Sequence, residues 1–220
     1  MSTDTDTQEA LTSVLELDLN NNGDRTPTTV RMKQKIATQI DPKKIKYWAG
    51  RKEKENYQFR DCLKANPPHN LDETISALSR KYFKLIDCRE CGNCCRAYTI
   101  PICKSEMKAL AIAKGIPSTA FQAKYTTYTA IDDVIANDGQ NFWDGDDHEY
   151  MFKMGFPKSC PMLAGNLCSV YANRPQVCQE YPHLEKPDRI NHLNMIIDNT
   201  FVCPIVFNVF EELKSVLDWR

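Results

Sequence analysis

Apolar residues recur at helical spacing along much of this chain, and they set the frame for everything else. Leu71, Ile75, Leu78, Tyr82 and Leu85 share one helical face, which predicts a helix from Asn70 with that face buried. Asn66-Pro67-Pro68-His69 breaks the chain before it; Asn70 is placed to cap, and Glu73 to reach back in a capping box. A second helix is expected over Ser105–Lys114, ended by Gly115-Ile116-Pro117, and a third over Ser118–Tyr128. Pro204 suits the first position of a last helix running to Trp219, with Ile205, Val209, Phe210, Leu213, Val216 and Leu217 supplying its core face. From Met32 to Leu63 the pattern is basic with interspersed aromatics (Tyr47, Trp48, Tyr57, Phe59), a helical lead-in. Short strands are expected at Glu149–Lys153, Leu167–Tyr171 and Ile190–Ile197, where β-branched, aromatic and other apolar residues gather. Residues 137–147, with Asp, Gly and Asn around Phe142-Trp143, read as a surface loop. Residues 1–35 have no aromatics and too little apolar surface to offset the entropy of ordering, so they read as a disordered tail. The expected fold class is α+β, mainly helical, with a few short strands. The expected domains are the tail 1–35, a basic helical lead-in 36–86, and a domain at 87–220.

Composition narrows this further. A hydrophobic share of 42% in 220 residues supports a sizeable core in one domain plus an appendage. The densest apolar stretch, Cys203–Phe210, is far short of the roughly 20 residues that cross a bilayer, so no membrane span is expected. A net charge of −1 exerts no general pull on nucleic acid. Charge is uneven: residues 31–64 carry eleven Lys/Arg against four Asp/Glu, and residues 131–149 carry seven acids with no Lys or Arg. Solvated faces, intramolecular pairing or a docking surface for a charged partner all fit that split. The first ten residues lack both the basic and the apolar parts of a secretory signal, which predicts a cytoplasmic location. In a reducing compartment, clustered cysteines serve metals or chemistry more often than disulfides.

Cysteine placement carries the chemistry. Cys88, Cys91, Cys94 and Cys95 fall within eight residues, and thiolates this dense repel one another unless a cation sits between them. The two-residue steps let paired sulfurs reach one ion from a tight turn, and Gly92 offers the positive φ that such a turn often needs. Cys160, Cys168, Cys178 and Cys203 form a second, looser group that does not repeat the spacing of a zinc ribbon. Adjacent residues of an extended segment point to opposite sides, so Cys94 and Cys95 favour two sites or one multinuclear cluster. Eight thiols divide into two sets of four, each drawn from both halves of the chain. Cys203 lies at the start of the last helix, whose dipole favours thiolate over thiol. Cys62 reads as an ordinary thiol; Cys103 reads as a small buried residue or an auxiliary ligand.

Other signals are weak. Asp18-Leu-Asn20-Asn-Asn22-Gly23-Asp24 imitates a calcium loop but places Thr29 where the bidentate Glu belongs. His69, His148, His183 and His192 show no metal-ligand spacing. Phosphate loops, Rossmann glycines and Ser-His-Asp motifs are absent, so catalysis would have to use the metal or an unseen partner.

With these residues in view, the chain resembles the YkgJ-type cysteine-cluster family, described as zinc- or iron-chelating domains. The resemblance rests on Cys88-x2-Cys91-Gly-Asn-Cys94-Cys95-Arg96, Ser159-Cys160-Pro161, Cys168-Ser-Val-Tyr171-x2-Arg174-Pro175-x2-Cys178-x2-Tyr181-Pro182 and Cys203-Pro204. It covers roughly residues 85–210 and leaves out Cys103. It implies a metal-stabilised domain with the eight motif cysteines as ligands, and relatives include flagellin lysine N-methylases, where an iron–sulfur cluster is implicated in methyl transfer. The expected cofactor is an iron–sulfur cluster serving electron or methyl transfer with a protein or redox partner; the alternative is Zn2+ in a structural or interaction module. Thiolates suit both metals. The adjacent Cys94-Cys95 pair and the ferredoxin-like x2, x2 spacing lean toward iron–sulfur.

Overall fold

A computed structural model describes residues 38–128, 150–155 and 158–219, all within the unit Ile36–Arg220. The expected tail, the calcium-loop imitation, the loop at 137–147 and His148 lie outside the described residues.

Helix α1 (Pro42–Ala65) begins where Asp41 accepts the backbone N–H groups of Lys43 and Lys44 at 2.8 and 3.3 Å, with Pro42 at its first position. Helix α2 (Leu71–Leu85) buries Leu71, Ile75, Leu78 and Tyr82 as its spacing requires. Two details differ. Leu85 is 58% exposed, and Asn70 makes no side-chain cap; its carbonyl instead accepts from the Thr74 hydroxyl at 2.8 Å. The capping-box contact appears at α5 (Lys104–Ala113), where the Glu106 carboxylate accepts the Cys103 N–H at 2.9 Å. Helix α6 (Ser118–Tyr125) stops short of the expected Tyr128, because Thr126–Tyr128 becomes strand β2 and pairs with β3 (Tyr150–Phe152). β-Branched threonines fit a ladder better than a helix. Strand β1 (Pro101–Ile102) completes the antiparallel order β1-β3-β2.

A hairpin follows, β4 (Leu163–Ala164) with β5 (Leu167–Cys168), shorter than the strand expected to Tyr171. Tyr171–Asn173 is a 3-10 turn leading to α7 (Gln176–Glu180). The strand expected over Ile190–Ile197 is corrected outright: Arg189–His192 is a 3-10 turn, and α8 (Leu193–Asn199) follows. Leu193, Ile196 and Ile197 lie three and four apart and are buried together, a helical repeat too short to stand out from an apolar run. Helix α9 (Pro204–Val216) closes the described chain, three residues before the expected Trp219.

Two cores result. The first joins α1, α2, α8 and α9 through Phe59, Tyr82, Leu193, Phe210 and Leu213, with the Phe59 and Phe210 rings edge-on at 5.5 Å. The second joins the three-stranded sheet, α5, α6 and the β4–β5 hairpin through Ile102, Leu110, Phe121, Phe152 and Met162. Some of the basic surplus of the lead-in is satisfied within the molecule: Lys52 pairs with Glu211 at 2.6 Å and Arg60 reaches Asn194 at 2.7 Å. The buried Lys214 ammonium returns the tie, bonding Glu55, Asn56 and Glu211 at 2.6–2.7 Å. The fold is thus mainly helical α+β. Among the described residues no helix is long and apolar enough to cross a membrane.

Candidate metal centre

After α2 the chain makes two single helical turns, α3 (Cys88–Cys91) and α4 (Asn93–Ala97), joined by Gly92 at φ 64°. A left-handed hinge of this kind redirects the backbone within one residue, so that Cys88 and Cys91 ride one turn and Cys94 and Cys95 the next. Arg96 locks the hinge. Its guanidinium donates to the Gly92 carbonyl at 3.0 Å, the Gly165 carbonyl at 2.7 Å and Asn166 Oδ1 at 2.6 Å, clamping α4 to the β4–β5 turn.

A Cβ on Gly92 would lie 2.5 Å from Arg96 Nη1, whereas one on Gly115, at φ 65°, would meet nothing within 4 Å. Both Gly→Ala changes should therefore cost about 1–2 kcal/mol in backbone strain. Gly92→Ala should cost more, since it displaces Arg96. Thermal unfolding of the two variants checks this; equal losses would show that the Arg96 clamp contributes nothing.

Cys94 and Cys95 sit in a helix, not in the extended segment that the sequence suggested. Their side chains diverge by about 100° instead of pointing to opposite faces, so the argument for separate destinations survives in weaker form. The Cys160 N–H donates to the Cys95 carbonyl at 2.7 Å, and Leu163 N–H to the Cys160 carbonyl at 3.0 Å. Cys168 lies opposite Leu163 in the hairpin. Cys178 is carried by α7, whose Gln176 N–H is received by Glu106 at 2.8 Å. One carboxylate thus serves the starts of both α5 and α7, a positioning role the sequence did not reveal. Cys203 is the N-cap residue of α9 and is buried; Asn93 Nδ2 donates to the neighbouring Val202 carbonyl at 3.3 Å.

These eight cysteines all line one cavity of about 640 Å³ between the two cores. Cys62 and Cys103 do not. Cys62 is exposed on α1 and Cys103 half-buried at the start of α5. All ten thiols are free, with no disulfide among them.

Burial dominates the electrostatics. It pushes the thiols of Cys88 to about 11, and of Cys160 and Cys203 to about 12, and raises Cys91, Cys168 and Cys178 as well. At Cys203 the Val206 and Ile205 N–H groups at the start of α9 favour thiolate, as expected, while desolvation pushes more strongly the other way. Cys95 is the exception, its thiol lowered by a contact with Cys94, which is itself driven up. Arg174, stacked 3.9 Å over the Tyr171 ring, opposes the upward push on Cys88, Cys168 and Cys178; Arg96 does so for Cys91 and Cys95. Both arginines therefore offset charge on thiols, and Arg174 also lines the cavity.

Tyr181 also lines the cavity, its phenol raised well above the usual range by burial and by Cys203. Tyr98 stacks on it at 5.8 Å and donates to Asn199 Oδ1 at 2.8 Å. Neither tyrosine was given a role from sequence, since nothing in linear order links residue 98 to residue 181. His183 does not line the cavity, and burial lowers it to about 4.

The donor set suits a thiophilic ion in number and kind: eight sulfurs around one space, neutral and crowded, whose mutual repulsion as thiolates a cation would relieve. Among the described residues, however, no three Cys, His, Asp or Glu side chains converge closely enough to hold an ion in the rotamers they occupy. Four sulfurs on a tetrahedral zinc lie ~3.8 Å apart, a separation set by Zn–S bonds of about 2.3 Å.

Comparison with known proteins adds one finding. Residues 87–203, more than half of the chain, match the CxxCxxCC family model, described as "Putative zinc- or iron-chelating domain". The stretch begins one residue before Cys88 and ends on Cys203. No curated protein and no solved structure matches.

Proposed function

Because the chain belongs to the CxxCxxCC family of zinc- or iron-chelating domains, we propose that Cys88, Cys91, Cys94, Cys95, Cys160, Cys168, Cys178 and Cys203 are its metal ligands and that they hold iron–sulfur. One observation carries the reading: eight cysteines from six separate segments face one cavity, while the two remaining cysteines face elsewhere. An iron–sulfur centre would supply one-electron transfer, or support methyl transfer, with a protein or redox partner. The chain's own contribution is to aim the sulfurs from two cores, to shield them with Ile86, Ile100 and Phe152, and to offset thiolate charge with Arg96 and Arg174.

Zinc is the second reading. It is favoured by the way Cys160 and Cys203 are each built into a core, so that zinc held at these cysteines would tie the α3–α4 turn to both hydrophobic units. Anaerobic purification with iron, sulfide and zinc analysis and an absorption spectrum separates the two. Iron with matching sulfide and a brown chromophore supports the first reading; stoichiometric zinc in a colourless protein supports the second. Protein with neither metal, and with all ten thiols freely reactive, would sink chelation itself.

Raised thiols also set a pH dependence. Ligands that are protonated near neutrality in the metal-free chain must lose those protons on binding, so metal uptake should acidify a weakly buffered solution and tighten as pH rises. Proton release measured during Zn2+ titration checks this; uptake without release would mean that the sulfurs were already thiolates.

A further inference from the structure

We propose that the eight thiols form two separate four-sulfur sites: Cys88, Cys91, Cys94 and Cys203 make one, and Cys95, Cys160, Cys168 and Cys178 make the other. This rests on the chelation reading above and adds the division of ligands.

The two cores draw the line. Cys95, Cys160, Cys168 and Cys178 all pack on the second core, the one that holds Phe121, Phe152 and Met162. Cys203 belongs to the first core, between α2 and α9. The backbone follows the same division. The Cys160 N–H is tied to the Cys95 carbonyl, and Leu163 links Cys160 to the Cys168 strand. On the other side, Asn93 is tied to Val202, so that the α3–α4 hinge is held against the segment carrying Cys203. Adjacent positions on α4 separate Cys94 from Cys95 by about 100°, enough to send one sulfur to each site.

Cys94 and Cys95 are adjacent on α4 and all eight cysteines line one cavity, so the two sites are neighbours. A divalent ion with four thiolates carries two negative charges, and two such sites side by side repel. Arg174 lines the same cavity, and Arg96, next to Cys95 on α4, clamps the turn between the sets to the β4–β5 hairpin, so both guanidiniums are placed to offset that repulsion.

Cobalt(II) titration of the full chain tests the division, because tetrahedral cobalt–thiolate bands report how many sulfurs bind each ion. Wild type should bind two equivalents. Cys88→Ser/Cys91→Ser should keep one, and so should Cys168→Ser/Cys178→Ser, each with a four-thiolate spectrum. A double variant that loses both equivalents, or keeps both, overturns the division, as does a retained ion with fewer than four sulfurs. A second measurement needs no variant: alkylation of wild type loaded with a single equivalent, read by mass spectrometry of the intact chain and its fragments. Protected thiols should fall together as one set or the other, and protection mixed across the sets overturns the proposal. If wild type takes up no cobalt, zinc or iron, chelation itself fails; metal bound with mixed protection removes only the division.

Discussion

Exchanging Cys203 for serine should lower bound metal and loosen the C-terminal helix in one step. Cys203 is 4% exposed, caps α9 and packs with Ile205, Val206, Val209 and Phe210 in the first core, yet its sulfur faces the cavity. A hydroxyl there binds a soft metal poorly and carries a polar group into an apolar site, which costs about 1–3 kcal/mol where it finds no partner. Losing the ion adds to that, since a site assembled from residues 88 and 203 closes only when α9 docks. Amide exchange over residues 204–216 should accelerate by roughly tenfold or more, at 1.4 kcal/mol per factor of ten, and metal content should fall together with it. Cys62→Ser, at an exposed thiol away from the cavity, should change neither. Full metal content with unchanged protection in Cys203→Ser would make Cys203 a buried thiol and no more.

Arg189→Met should be comparably severe without touching a sulfur. Arg189 is 2% exposed and donates to the Leu184 carbonyl, to the Asp72 carbonyl at 2.9 Å and to Ser76 Oγ at 2.7 Å. It also pairs with the Asp72 carboxylate at 3.3 Å. Methionine fills much of the volume but leaves those acceptors unpaired, at about 1–3 kcal/mol for each one that water cannot reach. A loss on the order of 3 kcal/mol in chemical unfolding is expected, with the wall that carries Leu184 opening beside the cavity. A change below about 0.5 kcal/mol, the usual range for surface substitutions, would show that the buried guanidinium is not what holds that loop.

The same contacts give Asp72 a signature in acid. Burial pushes its carboxyl up, but the Asp188 and Arg189 N–H groups at 2.7 and 3.1 Å, helped by the Arg189 charge, bring it below its ordinary value. A depressed folded-state pKa stabilises the fold above the unfolded-state value, and that stability fades as pH falls through the folded one. Asp72→Asn should therefore be less stable than wild type near neutrality, with the gap narrowing as acid is added. A constant gap across pH would place the effect in packing instead.

Local patterns in the chain determined a good deal. Period and caps located α2, α5 and the start of α9, because an amphipathic helix writes its buried face into every third and fourth position whatever it packs on. Cysteine number and spacing marked the eight sulfurs that line the cavity and set aside Cys62, because dense thiols are chemically hard to place without a cation; Cys103 stayed open as an auxiliary ligand until the structure placed it outside the cavity. Local patterns failed where length was short or a partner decided. Leu193–Asn199 became a helix because its apolar residues pack against α1 and α9, and Thr126–Tyr128 became a strand because Tyr150–Phe152 lies alongside it. Only the tertiary structure could show that Arg96 clamps the Gly92 hinge to the β4–β5 turn, that Glu106 serves two helix starts, and that Tyr98 packs against the cavity-lining Tyr181. It also showed how deeply Cys203 is buried, since a helix dipole can be read from a Cys-Pro step, whereas the desolvation that opposes it exists only once the chain has packed around the thiol.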